Sequence, residues 1–113
     1  MLPAAFVGTW AGSATIAGST ALVRVQVTFQ GGSQGDVVGN WAFSNPDGSG
    51  CTGTYRFDGM QASGVADLWE TVGYGNCQSG PDEMGLTSMN LANWFSFNPA
   101  TRALVNRGTL QRM

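Results

Sequence analysis

The chain has 113 residues, 42% of them hydrophobic and only 11% charged, with a net charge of −2 and neither histidine nor lysine. Without His there is no neutral-pH imidazole base, no Ser–His or Cys–His nucleophile pair and no imidazole metal ligand; without Lys there is no Schiff base and no phosphate-binding lysine. Arg24, Arg56, Arg102, Arg107 and Arg112 are scattered among the carboxylates and form no basic stripe, which argues against a nucleic-acid partner.

Residues 1–113 are expected to form one domain, large enough for a single core and small enough to gain from a covalent staple. Cys51 and Cys77 have no CxxC spacing and no histidine nearby, so no metal site is expected, and nothing in the chain calls for a cofactor. They are either two buried thiols or a disulfide. A small, Gly-rich, Lys-free β-domain favours the disulfide, and with it an exported, extracellular or cell-surface location. The opening Met1-Leu2-Pro3-Ala4-Ala5-Phe6 has neither the charged start nor the apolar core of a signal peptide, so an exported form is expected to carry its leader elsewhere. No segment is expected to span a membrane.

Hydrophobic residues recur with a period of two along nearly the whole chain. Phe6–Ile16 is the first expected strand. Leu22–Gln30 is the cleanest, with Val23, Val25, Val27 and Phe29 on one face and Arg24, Gln26 and Thr28 on the other. Gly31–Gly35 is a turn, and Asp36–Ser44 follows with Val37, Gly39, Trp41 and Phe43 in phase. After the turn Asn45–Gly50, Cys51–Asp58 puts Tyr55 and Phe57 in phase with Cys51. Val65–Val72 is next, then a loop Gly73–Asp82 holding Cys77, then strands Met84–Leu91, Trp94–Phe97 and Ala103–Gln111. Short strands joined by regular turns, with no helical periodicity, point to a small all-β, antiparallel up-and-down barrel of about eight strands, calycin-like, with a β-sandwich as the alternative.

Two spots favour closure. Gly8-Thr9-Trp10 begins the first strand and Arg107 and Arg112 flank the end of the last, an arrangement similar to the Gly-x-Trp and last-strand Arg of lipocalins. In a closed barrel these strands meet, Trp10 plugs one end, and Arg112, in phase with Gly108 and Leu110, lies over its indole. In order, Gly8-Thr9-Trp10-Ala11-Gly12, Val25–Phe29, Gly32, Gly35–Gly39, Cys51-Thr52-Gly53-Thr54, Leu68–Val72, Cys77 and Arg107–Arg112 span residues 6 to 112. This order resembles the extracellular C-terminal β module of actinobacterial serine/threonine protein kinases and related secreted lone domains. The resemblance implies paired cysteines outside the membrane and a sensory or binding role, and it brings no catalytic residues. The chain departs from the pattern in Trp69, Trp94, Met84 and Met89. An avidin-like biotin binder shares the Gly-Thr-Trp opening, without a residue-by-residue match to its polar ligand set.

Chemistry-bearing groups are few. Asp67 and Glu70 lie three apart on a strand and point to opposite faces. Glu70 shares phase with Leu68 and Val72: pointing inward it is a general-base candidate with a raised pKa, and the plainer alternatives pair it with Arg56 or leave it in water beside Trp69. Asp47-Gly48 and Pro81-Asp82-Glu83 lack calcium-loop spacing and read as turns. Trp41, Phe43, Tyr55 and Phe57 are expected to line one volume, as filled core or as ligand pocket. Trp69 and Trp94, with Tyr74, are expected at a rim or an interface. No Ser or Thr has an elbow motif or a base to activate it.

The function that follows is a non-catalytic extracellular binding or sensory barrel for a small apolar or amphipathic ligand held by Trp41, Phe43, Tyr55, Phe57, Trp69 and Trp94. The alternatives are a small-barrel cyclase or isomerase using Glu70, and a homo-oligomer-forming or protein-binding domain with Trp69 and Trp94 at the contact.

Overall fold

The alternation in the sequence becomes a wall with an apolar inside. In the computed structural model, which describes residues 1–113, the chain forms β1 (Gly8–Ile16), β2 (Leu22–Phe29), β3 (Val37–Ser44), β4 (Gly50–Met60), β5 (Val65–Tyr74), β6 (Gly80–Leu86), β7 (Leu91–Phe97) and β8 (Leu104–Arg112). Each strand pairs antiparallel with the next and β8 pairs with β1, so the sheet is a closed eight-stranded up-and-down barrel. Along β2, Val23, Val25, Val27 and Phe29 are buried while Leu22, Arg24 and Gln26 are exposed. Closure leaves no edge strand with unpaired backbone groups. No helix is long and apolar enough to cross a membrane.

Three sequence expectations are corrected. The sixth strand is Gly80–Leu86, with residues 87–90 forming the next turn, rather than Met84–Leu91. Gly80-Pro81-Asp82 carries turn-forming residue types, but Glu70 lies opposite Gly80 and Leu68 opposite Asp82, so the β5 ladder holds this stretch extended. In β3 the inward residue is Val38, and Val37 is exposed. A register shift against β4 between Val37 and Gly39 reverses the parity there, as one extra residue does. The chain before Gly8 is not strand: Ala4–Phe6 is a single 3-10 turn.

That turn belongs to the plug at one end of the barrel. Leu2 donates its N–H to the Gly32 carbonyl, and Leu2 and Phe6 are buried beneath the strands. Trp10 is fully buried, and its indole N–H donates to the Phe6 carbonyl at 3.0 Å. The Arg112 guanidinium lies 4.2 Å from the indole centroid and donates to the carbonyls of Val7, Ala5 and Met89. Gly8 is required here twice over. Its φ of +126° suits no L side chain, and a Cβ would sit 2.9 Å from Arg112 Nη1.

Above the plug, aromatic rings fill the barrel. Trp41 stacks on Phe43 at 4.4 Å, Phe29 on Tyr55 at 5.8 Å, and Trp94 meets Phe43 edge-on at 5.3 Å. Trp41 lies against Gly53, where a Cβ would come within 2.5 Å of the indole, so the smallest residue on β4 makes room for the largest on β3.

Arg112→Ala removes one cation–π contact and three charge-assisted hydrogen bonds from a partly exposed site, and is expected to destabilise the fold by about 1–3 kcal/mol. Arg112→Lys, with no planar fork to serve three carbonyls, is expected to recover less than half of that loss. Urea unfolding of both variants checks this, and an unchanged midpoint for Arg112→Ala would show that the plug holds without its arginine.

Candidate functional site

Opposite the plug, at the end carrying the loops after β1, β3, β5 and β7, the interior is not filled. A cavity of about 240 Å³ opens there, lined by Ile16, Val23, Phe43, Phe97, Pro99 and Val105 on its apolar side. Asn45, Glu70, Gln78, Asp82, Ser96 and Asn106 supply the polar side. Val23, Ser96, Asn106, Gly80 and the carboxyls stand in this layer where the lower layers carry Trp, and this difference in volume makes the space.

The loops shape its mouth. The side-chain oxygen of Asn98 accepts from the N–H groups of Ala100 and Thr101, a local Asx turn that sets Pro99 at the rim. Cys51, buried at the start of β4, is joined by a disulfide to Cys77 in the loop between β5 and β6, and so holds that loop against the cavity. Gly75 allows the approach: it has φ +99°, and a Cβ there would lie 2.8 Å from Cys51 Sγ.

Two carboxyls sit at the floor. Glu70 and Asp82 are 4% and 2% exposed, on the inner faces of neighbouring strands. Asp82 lies opposite Leu68 and is therefore a diagonal neighbour of Glu70, within hydrogen-bonding reach of it. The Tyr55 hydroxyl donates to Asp82 Oδ2 at 2.5 Å and accepts from the Trp94 indole N–H at 3.0 Å. Asn106 Nδ2 donates to Ser96 Oγ at 3.0 Å. Glu70 Oε1 and Asn106 Oδ1 are buried and have no hydrogen-bond partner.

Burial and the neighbouring Glu70 hold the Asp82 carboxyl well above the usual carboxylate range, and burial also raises Glu70. The Tyr55 phenol is pushed up by burial and then by the two carboxyls, so it remains a neutral donor. Burial thus favours a proton on this pair, more strongly at Asp82 than at Glu70. Such a pair can accept donors from a bound molecule or pass a proton to one.

The structure distributes the sequence candidates unevenly. Phe43 lines the cavity, whereas Trp41, Tyr55, Phe57 and Trp94 are buried beneath it. Trp94 is not at a rim: it shares its inward phase with Ala92 and Ser96, and at 1% exposure it is unavailable to a partner subunit. Trp69 lies on the outer wall, half-buried, with the Arg56 guanidinium 5.8 Å from its ring. Tyr74 is exposed. Glu70 points inward, in phase with Leu68, which is the first of the alternatives its sequence position offered. It has no arginine partner, because Arg56 is outside and bonded to Asp58. Asp82 is not in a turn but in β6.

Sequence reasoning missed Asp82, Ser96 and Asn106. Each shares parity with an inward residue, namely Met84, Trp94 and Leu110, but a polar residue at an inward position breaks the very pattern used to find strands. Comparisons with protein-family models, with curated proteins and with solved structures gave no match.

The raised carboxyls set the sign of a pH effect. Both bind protons more tightly folded than unfolded, so their contribution to stability is complete below the ordinary carboxylate range near pH 4 and is lost as pH rises through the raised values. Asp47, lowered by its hydrogen bonds to Ser49, acts in the opposite sense and only at the acid edge of that window. Asp82→Asn copies the protonated form, with Oδ1 accepting from Tyr55 and Nδ2 donating to Glu70. It is expected to raise Tm in mildly alkaline buffer by about 4 °C or more and to flatten the decline of Tm with pH. Calorimetry across the pH range tests this, and a variant that kept the wild-type slope would mean that Asp82 is already ionised in the folded protein.

Proposed function

We propose that this protein is an exported binding module that holds one small amphipathic molecule, without covalent chemistry, in the cavity at the open end of the barrel. The observation that carries this reading is the pairing of an apolar wall with unpartnered polar atoms, Glu70 Oε1 and Asn106 Oδ1, on a buried floor. A buried acceptor without a partner is unfavourable by about 1–3 kcal/mol, and a ligand that supplies the missing donor removes that penalty on binding. The disulfide accords with an oxidising compartment. A pocket of this kind is compatible with a sensory role outside the membrane, the role implied by the resemblance to the kinase-associated modules.

The volume limits the occupant. At about 240 Å³ the cavity is below the roughly 300–1,000 Å³ of pockets that take drug-sized ligands, so a molecule of one ring or a short chain is the expected size. An NMR screen of small fragments on the labelled protein tests the location. Amide shifts are expected at Phe43, Glu70, Ser96 and Asn106, at the open end, and not around Gln26 and Thr28 on the outer wall. Ile16→Trp, at a partly exposed position beside Asn106, is expected to block the cavity and abolish them with Tm little changed. Binding that survives Ile16→Trp, or that maps to the outer wall, would overturn the proposal.

A further inference from the structure

Resting on that reading, we propose that the ligand is an organic amine whose ammonium group sits on the cavity floor against Glu70 and Asp82, with its apolar part against Phe43 and Phe97. The supply of hydrogen-bonding groups points there. Tyr55 has already spent its proton on Asp82, and Asn106 has spent an N–H on Ser96. The two buried polar atoms left with no partner at all, Glu70 Oε1 and Asn106 Oδ1, are both acceptors, so an occupant that brings donors serves them. An ammonium brings three.

Charge selects the cation over a neutral donor such as an alcohol. No arginine lines the cavity, and the only ionisable groups facing its floor are Glu70, Asp82 and Tyr55. Arg112 is at the opposite end, Arg56 is outside, and Asp47 and Arg102 lie in exposed turns at the open end. Two buried carboxyls with no protein cation leave a deficit of positive charge. In the empty site a shared proton makes up part of it, and an ammonium does so with better solvation of both groups. Anions are excluded by the same field. A divalent metal ion is poorly served: calcium takes about 6–8 oxygens, and the floor offers two carboxyls, one already bonded to Tyr55.

Binding of the cation displaces the shared proton. Affinity therefore rises with pH while the pair still holds that proton, and the measured enthalpy depends on the ionisation enthalpy of the buffer.

The experiment titrates the intact chain by calorimetry with 2-phenylethylamine, 2-phenylethanol and phenylacetate, three probes of nearly equal shape carrying a cation, a neutral hydroxyl and an anion. The amine is expected to bind at least about tenfold more tightly than the alcohol, with proton release, and phenylacetate not to bind. Glu70→Gln is expected to remove the advantage of the amine over the alcohol. Asp82→Asn, which can keep the Tyr55 bond, is expected to lose proton release and to weaken the amine more than the alcohol. Equal binding of amine and alcohol to the wild-type protein overturns the amine assignment and leaves the cavity reading intact. Binding of none of the three overturns both. Displacement of the amine by millimolar calcium chloride, but not by sodium chloride of equal ionic strength, would assign the floor to a metal ion instead.

Discussion

Pairing between β1 and β8 is the constraint on which the rest of the molecule depends. Trp10 lies opposite Arg112 across that seam, and Ile16 opposite Asn106 at its other end. The seam thus joins the plug at the bottom to the wall of the cavity at the top. Once eight strands close, the interior has a fixed width, and what it holds is decided by the side chains at inward positions. Trp10, Phe6 and Leu2 fill the lower end, and Trp41, Tyr55, Phe57 and Trp94 fill the middle. At the top the inward residues include Ser96, Asn106, Gly80 and the two carboxyls, too small to fill the width of the barrel. The cavity follows from the order of residue sizes along the barrel and needs no special loop to create it.

The buried carboxyls are harder to explain as structure. Replacing a buried polar cluster with well-packed apolar residues is often neutral or stabilising, because desolvation weighs against the polar version. Here the arrangement is only partly satisfied. Tyr55 and Trp94 form an oriented chain ending on Asp82, which fixes that carboxyl among rings, while Glu70 keeps an oxygen with no partner. A half-satisfied network rigidifies less than a complete one and is unfavourable by itself. The aromatic stack, the plug and the Cys51–Cys77 staple, which by chain entropy contributes on the order of 3 kcal/mol, supply the stability that lets the fold carry it.

The barrel was legible in the sequence because alternation needs only apolar residues on one face, and Leu22–Phe29 and Cys51–Phe57 have them. The plug was legible because Gly8, Trp10 and Arg112 sit at positions that closure must bring together. The floor was half legible. Glu70 stood out as a charged residue in phase with Leu68 and Val72, but its partner Asp82 was hidden behind Gly80-Pro81, where turn chemistry and strand pairing compete and the β5 ladder prevails. Ser96 and Asn106 were hidden for another reason. Single polar residues near strand ends are common, and only the register of β7 with β8, which sets them opposite each other, makes them a pair. The bulge at Val37–Gly39 could not be read from parity, since it is a break in parity.

Charge is sorted by side of the wall, and this bears on what reaches the open end. Arg24, Arg56 and Arg107 project from the outer face, Arg112 caps the closed end, and the interior holds carboxyls alone. Outer charges are screened by water and salt, whereas charges within low-dielectric walls are not, so the field inside is set by the floor and not by the net charge of the chain. A small cation at the mouth therefore meets a potential that becomes more favourable with depth, while its apolar part loses water against Phe43 and Phe97. Both effects draw the molecule the same way, with the charged end leading. An anion of the same size would gain the second effect and lose more through the first, so on the proposed reading the sign of a ligand's charge matters more than its shape.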